Sequence, residues 1–145
     1  MVQLWAHECE RIYGDRLVSP DHLKQFKVFA ADMAKKSFPR TNLSRFYMET
    51  NPDPLIFANF VGSLDEKLYD RFPSQEAMAS KLHEALRDYN DTNAVMDLVL
   101  FEDAMKHACK ISRIVSGDGG HALLVGVGGS GKQSLSRLSS HICMF

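Results

Sequence analysis

The chain has 145 residues, 45% of them hydrophobic and 24% charged, with a formal net charge of −1. That size suits a domain of ordinary length, and the composition excludes an unfolded, charge-dominated chain. The near-neutral balance offers no basic field for nucleic acid or an anionic membrane, and no apolar run approaches the roughly 20 residues of a bilayer-spanning helix.

The opening Met1-Val2-Gln3-Leu4-Trp5-Ala6-His7-Glu8 has no apolar stretch behind a basic end, so it does not read as a secretory signal. Cys9, Cys109 and Cys143 are widely spaced and form no Cys-x-x-Cys pair. Reduced thiols in a cytosolic setting are expected of them, rather than a disulfide or a zinc site.

Residues 3 to 17 read as a helix, with Trp5, Cys9, Ile12, Tyr13 and Leu17 at helical spacing. Ser19-Pro20-Asp21 is a restart: a cap, a proline that suits the first helical position, and an acid at the positive end of the dipole. The second helix runs to about Lys36 and is expected to bury Leu23, Phe26, Ala30 and Met33. A short connection between the two predicts a helical hairpin. Lys35, Lys36, Arg40 and Arg45 cluster around Phe38-Pro39 and read as a solvated turn.

Asn51-Pro52-Asp53-Pro54 is a turn cluster. The run from Leu55 to Val61 is apolar and short, so a buried strand or extended segment is expected there. Leu64-Asp65-Glu66 follows it. An apolar strand ending in Asp-Glu is the form of a magnesium- and water-handling motif, but Gly62 and Ser63 interrupt this one, and surface acids are the better reading. A third helix spans residues 74 to 89, with Ser74 as cap and Met78, Leu82, Ala85, Leu86 and Tyr89 along one face. Asn90 to Asn93 should end it.

A fourth helix is expected from about Leu98 to Ser116. Phe101, Ala104, Met105, Ala108, Ile111, Ile114 and Val115 form its apolar stripe, and Lys106, Lys110 and Arg113 another face. Gly117-Asp118-Gly119-Gly120 terminates it. Ala122 to Val125 then reads as a buried strand. From Gly126 the sequence is Gly126-Val127-Gly128-Gly129-Ser130-Gly131-Lys132, the spacing of a phosphate-binding loop. Glycines let the backbone approach an anion closely. The loop N–H groups and the N-terminus of the next helix then face one concavity. Lys132 would add its charge to the β- and γ-phosphates. The next position is usually Ser or Thr, whose hydroxyl reaches Mg²⁺. Here it is Gln133, followed by Ser134, so phosphate binding is better supported than metal-assisted hydrolysis. Leu135, Leu138 and Ile142 should face the core from the last helix.

Three blocks carry a family resemblance: Leu98 through His107, Ile111-Ser112-Arg113-Ile114, and Ala122 through Leu138. Together they resemble the entry into the fourth AAA+ module of a dynein heavy chain, and Gln133 fits that module. Leu4-Trp5-Ala6-His7-Glu8 with Arg11 and Asp15-Arg16-Leu17 is similar to the helical subdomain that closes the third module. The ciliary, axonemal heavy chains are the better match. The resemblance implies the α/β fold of AAA+ P-loop NTPases. Of that fold this chain would hold a mostly helical part, with a C-terminal strand–loop–helix and an incomplete parallel sheet. It divides the chain into residues 1–48, closing the third module, a connecting segment 49–93, and residues 94–145, opening the fourth.

The same resemblance implies an ATP-driven, minus-end-directed microtubule motor of the cytoskeleton and cilium axoneme. Its cofactors would be ATP or ADP with Mg²⁺. Residues Gly126 to Ser134 would hold the phosphates, Gln133 and Ser134 would stand nearest the metal, and Leu98, Val99, Leu100 and Phe101 would lie on the adenine side. Partners would be the rest of the motor ring and, through it, microtubules and intermediate and light chains. Only Ser134 to Phe145 follow the loop, barely one helix. The isolated chain is therefore expected to hold nucleotide weakly and not to hydrolyse it. An independent P-loop kinase or GTPase, which usually carries its loop near the N-terminus, and a helical interaction module with a relic loop are the alternatives.

Overall fold

A computed structural model describes residues 1–48, 55–62 and 68–144. The turn cluster at residues 51–54 and the Asp65-Glu66 pair lie outside the described residues. The chain forms two compact units, Met1–Leu55 and Ile56–Phe145.

The first unit holds helix α1 (Val2–Ile12), a tight 3-10 turn at Gly14–Arg16, helix α2 (Pro20–Ser37) and the short helix α3 (Ser44–Tyr47). The helix expected over residues 3 to 17 therefore ends five residues early. Gly14 explains the break. A Cβ there would stand 3.2 Å from Glu10 Cγ and 3.3 Å from both Leu23 Cδ1 and Phe26 Cε1. The bare backbone lets α2 come close, and the chain turns tightly to allow it. Ile12 and Tyr13 consequently face outward.

Pro20 opens α2 as its sequence suggests, while the Ser19 side chain makes no capping bond. The buried face of α2 is Ala30, Ala31 and Ala34. Leu23 and Phe26 are half-buried, and Met33 is 54% exposed, against expectation. Small residues allow the helices to approach, so the stripe rotates away from Met33. Polar links finish the unit: Lys27 Nζ to Glu10 at 3.1 Å, Tyr47 Oη to Ala6 O at 3.3 Å, and His7 Nδ1 to Leu55 O at 2.8 Å. Burial, and then the charge of Glu10, push the Tyr47 hydroxyl pKa upward.

The second unit begins with an antiparallel pair, β1 (Phe57–Ala58) and β2 (Asp70–Arg71), in register Phe57 with Arg71 and Ala58 with Asp70. Of the apolar run at residues 55–61, Phe57–Ala58 is a buried strand, residues 59–61 turn away from it, and Leu55 and Phe60 are also buried. Helix α4 (Gln75–Thr92) starts at Ser74, whose hydroxyl accepts from Ala77 N at 3.2 Å. Its buried residues are Met78, Leu82, Ala85, Leu86 and Tyr89, the five read from the sequence. The polar cluster at its end stays helical through Thr92. Asn90 then turns the chain back: its Oδ1 accepts from Met96 N at 2.8 Å and its Nδ2 donates to Met96 O at 3.2 Å.

Helix α5 (Glu102–Val115) and helix α6 (Lys132–Ile142) pack broadly on each other and on α4. One core unites Met78, Leu82, Ala108, Leu135 and Leu138 with Phe60 and Phe72, whose rings meet edge-on at 5.6 Å. The chain is thus mostly helical, and β1–β2 is the sheet among the described residues.

Candidate functional site

The site is assembled on the second unit's core. After α5, Gly117–Gly120 makes a tight reversal in which Gly119 has φ of +63°. At Gly120 an added Cβ would sit 1.7 Å from the Ile114 carbonyl oxygen, so only glycine passes. Residues 121–127 then run without a strand partner among the described residues. The buried strand expected at Ala122–Val125 is not formed. Leu123, Val125 and Val127 are 90%, 87% and 80% exposed, while Leu124 rests against the core. A parallel strand is stable when neighbours satisfy both edges and both faces. The run 55–61 does not serve, because its β1 segment pairs with β2 instead.

Gly126 to Gly131 form an exposed loop. Gly129 and Gly131 take φ of +76° and +75°, a region that side chains resist. Gly131 caps α6, and Lys132 is its first residue. The N–H groups of Lys132, Gln133 and Ser134 precede the first intrahelical bond, Leu135 N to Gly131 O at 2.9 Å. No acid lies in this first turn. The helix end is therefore electropositive and presents donors toward the loop.

Lys132 Nζ folds back into the loop. It donates to Gly126 O at 2.7 Å, Val127 O at 2.6 Å and Ser130 Oγ at 3.0 Å. The closure leaves little room at Gly126, where a Cβ would stand 2.9 Å from Ser130 Oγ and push that hydroxyl aside. Gln133 is exposed and Ser134 half-buried, so the two candidate metal-side groups differ in access. The donor set fits a phosphate ester: free helix-end N–H groups, a glycine backbone and one ammonium. Mg²⁺ would be reached by the Gln133 amide oxygen or the Ser134 hydroxyl.

The candidate adenine-side segment is extended, not helical. α5 starts at Glu102, four residues later than expected, with Phe101 in the cap position at φ −80°, ψ 167°. An extended chain alternates its side chains. Leu100 is buried and Leu98 half-buried on the core, while Val99 and Phe101 (62% exposed) face solvent. Phe101 and Ile114 are thus outside the buried stripe assigned to them. Cys109 and Ser112 are inside it instead. Leu98 and Leu124 lean on the same core, so the adenine-side segment and the approach to the loop share one support.

Lys106 Nζ bonds Glu102 Oε1 at 2.5 Å and holds the Glu102 carboxyl below the ordinary carboxylate range. Burial pushes the Cys109 thiol up to about 12, which makes it inert at neutral pH.

Three bonds not anticipated from the sequence hold the far half of α6. Ser139 Oγ donates to Ala108 O at 3.4 Å, Cys143 Sγ to Ser112 O at 3.3 Å, and His141 Nε2 meets Asp88 Oδ2 at 2.8 Å. Their partners lie 31, 31 and 53 residues away. Nothing in local sequence signals such pairs.

Residues 96–145 match the family described as "P-loop containing dynein motor region D4". Over 97% of its length the chain is 55% identical to the dynein alpha chain of the flagellar outer arm of Chlamydomonas reinhardtii. It is 45% identical over 99% of its length to dynein axonemal heavy chain 11 of Sus scrofa, and 41% identical over 98% to dynein axonemal heavy chain 9 of Homo sapiens. The chain spans about 3% of the length of each of these relatives.

Proposed function

The chain belongs to the dynein heavy-chain family, as a segment of the axonemal type, and from that premise we propose that Gly126 to Ser134 bind the phosphates of ATP or ADP for the fourth module of a motor ring. Residues 1–48 close the preceding module, 49–93 connect, and 94–145 open the nucleotide module. Leu98 to Phe101 flank the adenine. Gln133 and Ser134 stand nearest Mg²⁺. In the complete motor the partners are the rest of the ring, microtubules, and intermediate and light chains, and the setting is the axoneme of a cilium.

One observation carries the reading. Gly131 in the left-handed region delivers the chain directly into α6, so Lys132 and the free N–H groups of the first helical turn converge on one exposed loop. That is the chemistry a polyphosphate needs: dense oriented donors, one positive charge and no side chain in the way. Hydrolysis asks more. It needs a positioned water and stabilisation of charge spread over the transferring phosphoryl group. An amide at residue 133, in place of a hydroxyl, is a weaker metal ligand. This chain therefore binds nucleotide without turning it over at an appreciable rate. Residues 122–125 enter a parallel sheet once the other strands of the module are present.

The test is titration of the 145-residue chain with ADP and with ATP, followed by calorimetry and amide chemical shifts. The expected result is millimolar affinity, about −4 kcal/mol, with shifts centred on residues 126–134. Lys132→Ala should weaken it at least about tenfold, or 1.4 kcal/mol, the scale of a lost charged hydrogen bond. Shifts elsewhere, or affinity unchanged by Lys132→Ala, would remove the assignment.

A further inference from the structure

The polar anchors of α6 are unevenly distributed. Ser139, His141 and Cys143 tie its C-terminal half and the residue beyond to α5 and α4. Its N-terminal turn, which carries Lys132, is held among the described residues by bonds close in sequence, Ser136 Oγ to Lys132 O at 2.8 Å and Lys132 Nζ to the loop, and by the buried Leu135 side chain. An α-helix of this length, roughly 16 Å at 1.5 Å per residue, is stiff. Fixing one end in rotation and register therefore fixes the other.

Of the three anchors, His141 alone reaches α4. Its Nε2 is 2.8 Å from Asp88 Oδ2, and its ring stands at 90° to that of buried Tyr89, with centroids 5.5 Å apart. The two contacts come from consecutive residues of α4 and hold the imidazole by its edge and its nitrogen together. Leu135, Leu138 and Ile142 bury the helix but permit small rotation and sliding, because apolar packing is not directional. A hydrogen bond combined with an edge-on ring is directional.

We infer that His141, held by Asp88 and Tyr89, is a positioning residue for the phosphate loop: it sets the rotation of α6 and so the placement of Lys132 at the opposite end. The inference rests on the phosphate-loop reading for its ligand arm only.

Amide hydrogen exchange of the full 145-residue chain tests it without ligand. The variants are His141→Leu, Asp88→Ala, the double variant, and His141→Gln, which keeps an N–H donor near the Nε2 position. The expected result is exchange about 2–5-fold faster at Leu135 and Ser136 in His141→Leu and Asp88→Ala, the scale of a partly exposed pair. The effect should not add in the double variant, and His141→Gln should restore protection. Amides at the centres of α4 and α5 should be unchanged. Equal acceleration throughout the unit would mean a plain loss of stability and would overturn the proposal. Acceleration confined to residues 139–142 would overturn it also, since nothing would be transmitted.

The second measurement is ADP affinity in the same variants under conditions where all remain folded. A 2–5-fold weakening that His141→Gln reverses is expected. If the parent chain binds no ADP while exchange at Leu135 responds as stated, the phosphate-loop reading fails and the mechanical link stands. Where the parent chain does bind ADP, binding unchanged in every variant overturns the link.

Discussion

Two regions of the second unit, both apolar in sequence, end up in opposite environments. In α4, Met78, Leu82 and Ala85 are fully buried. In the segment before the loop, Leu123, Val125 and Val127 stand in solvent. The difference lies in where each element finds its partner. An amphipathic helix satisfies its own backbone and needs only one apolar neighbour. α4, α5 and α6 supply one another. A strand satisfies no backbone group by itself, and a parallel one needs neighbours on both edges. Helical periodicity is therefore readable as structure from a short stretch. A strand's apolar run states a requirement that other strands must meet.

The largest expected effect breaks that comparison if it fails. Leu82→Ala in the α4 core should destabilise the unit by about 2–5 kcal/mol, whereas Val125→Ser should stay within about 0.5 kcal/mol. Urea unfolding of the two variants decides it. Similar losses would mean that residues 122–125 are packed after all.

The boundary between the regions comes next. Gly120→Ala must open the turn against the Ile114 carbonyl, and the strain should cost about 1–3 kcal/mol. Gly126→Ala meets only the movable Ser130 hydroxyl. It should leave the unfolding midpoint nearly unchanged while reducing any phosphate-induced shifts. Below the Gly120→Ala strain comes Ser74→Ala, which removes the side-chain bond to Ala77 N and should cost about 1 kcal/mol.

The smallest effect is a pH dependence. The Lys106 hydrogen bond, and then its charge, lower the Glu102 pKa in the folded chain. The sign follows from linkage: the stabilisation is complete above the unfolded carboxyl pKa and is lost as pH falls through the lowered folded value. Acid unfolding of Glu102→Gln, compared with the parent, should show a slightly shallower loss of stability in that range. The reverse sign would mean that the pair is not formed in solution.

How much of this was legible in the sequence varies by element for physical reasons. The buried face of α4 could be read residue by residue, because spacing alone decides it. The start of α5 could not. Leu98 to Phe101 are as apolar as a helix face, yet they are extended and alternate in and out. The early end of α1 depends on Leu23 and Phe26 approaching Gly14 from another helix. The glycine and lysine positions of the loop were plain from spacing, as was the start of the following helix near Lys132. The bonds that hold the far end of that helix were hidden, because Asp88 and His141 are joined only by folding.

The lysine of the loop has a further consequence. An ammonium carries three N–H bonds and accepts none. At Lys132 all three have acceptors: two carbonyl oxygens and one hydroxyl. An arriving phosphate must displace at least one of them, so the count of bonds at nitrogen does not rise on binding. What rises is the charge of the acceptor, from a neutral carbonyl to an anion, which adds a charge–charge attraction to a bond the ammonium already assists. The exchange thus selects by charge before shape: inorganic phosphate should displace a carbonyl where a neutral phosphotriester of similar form should not.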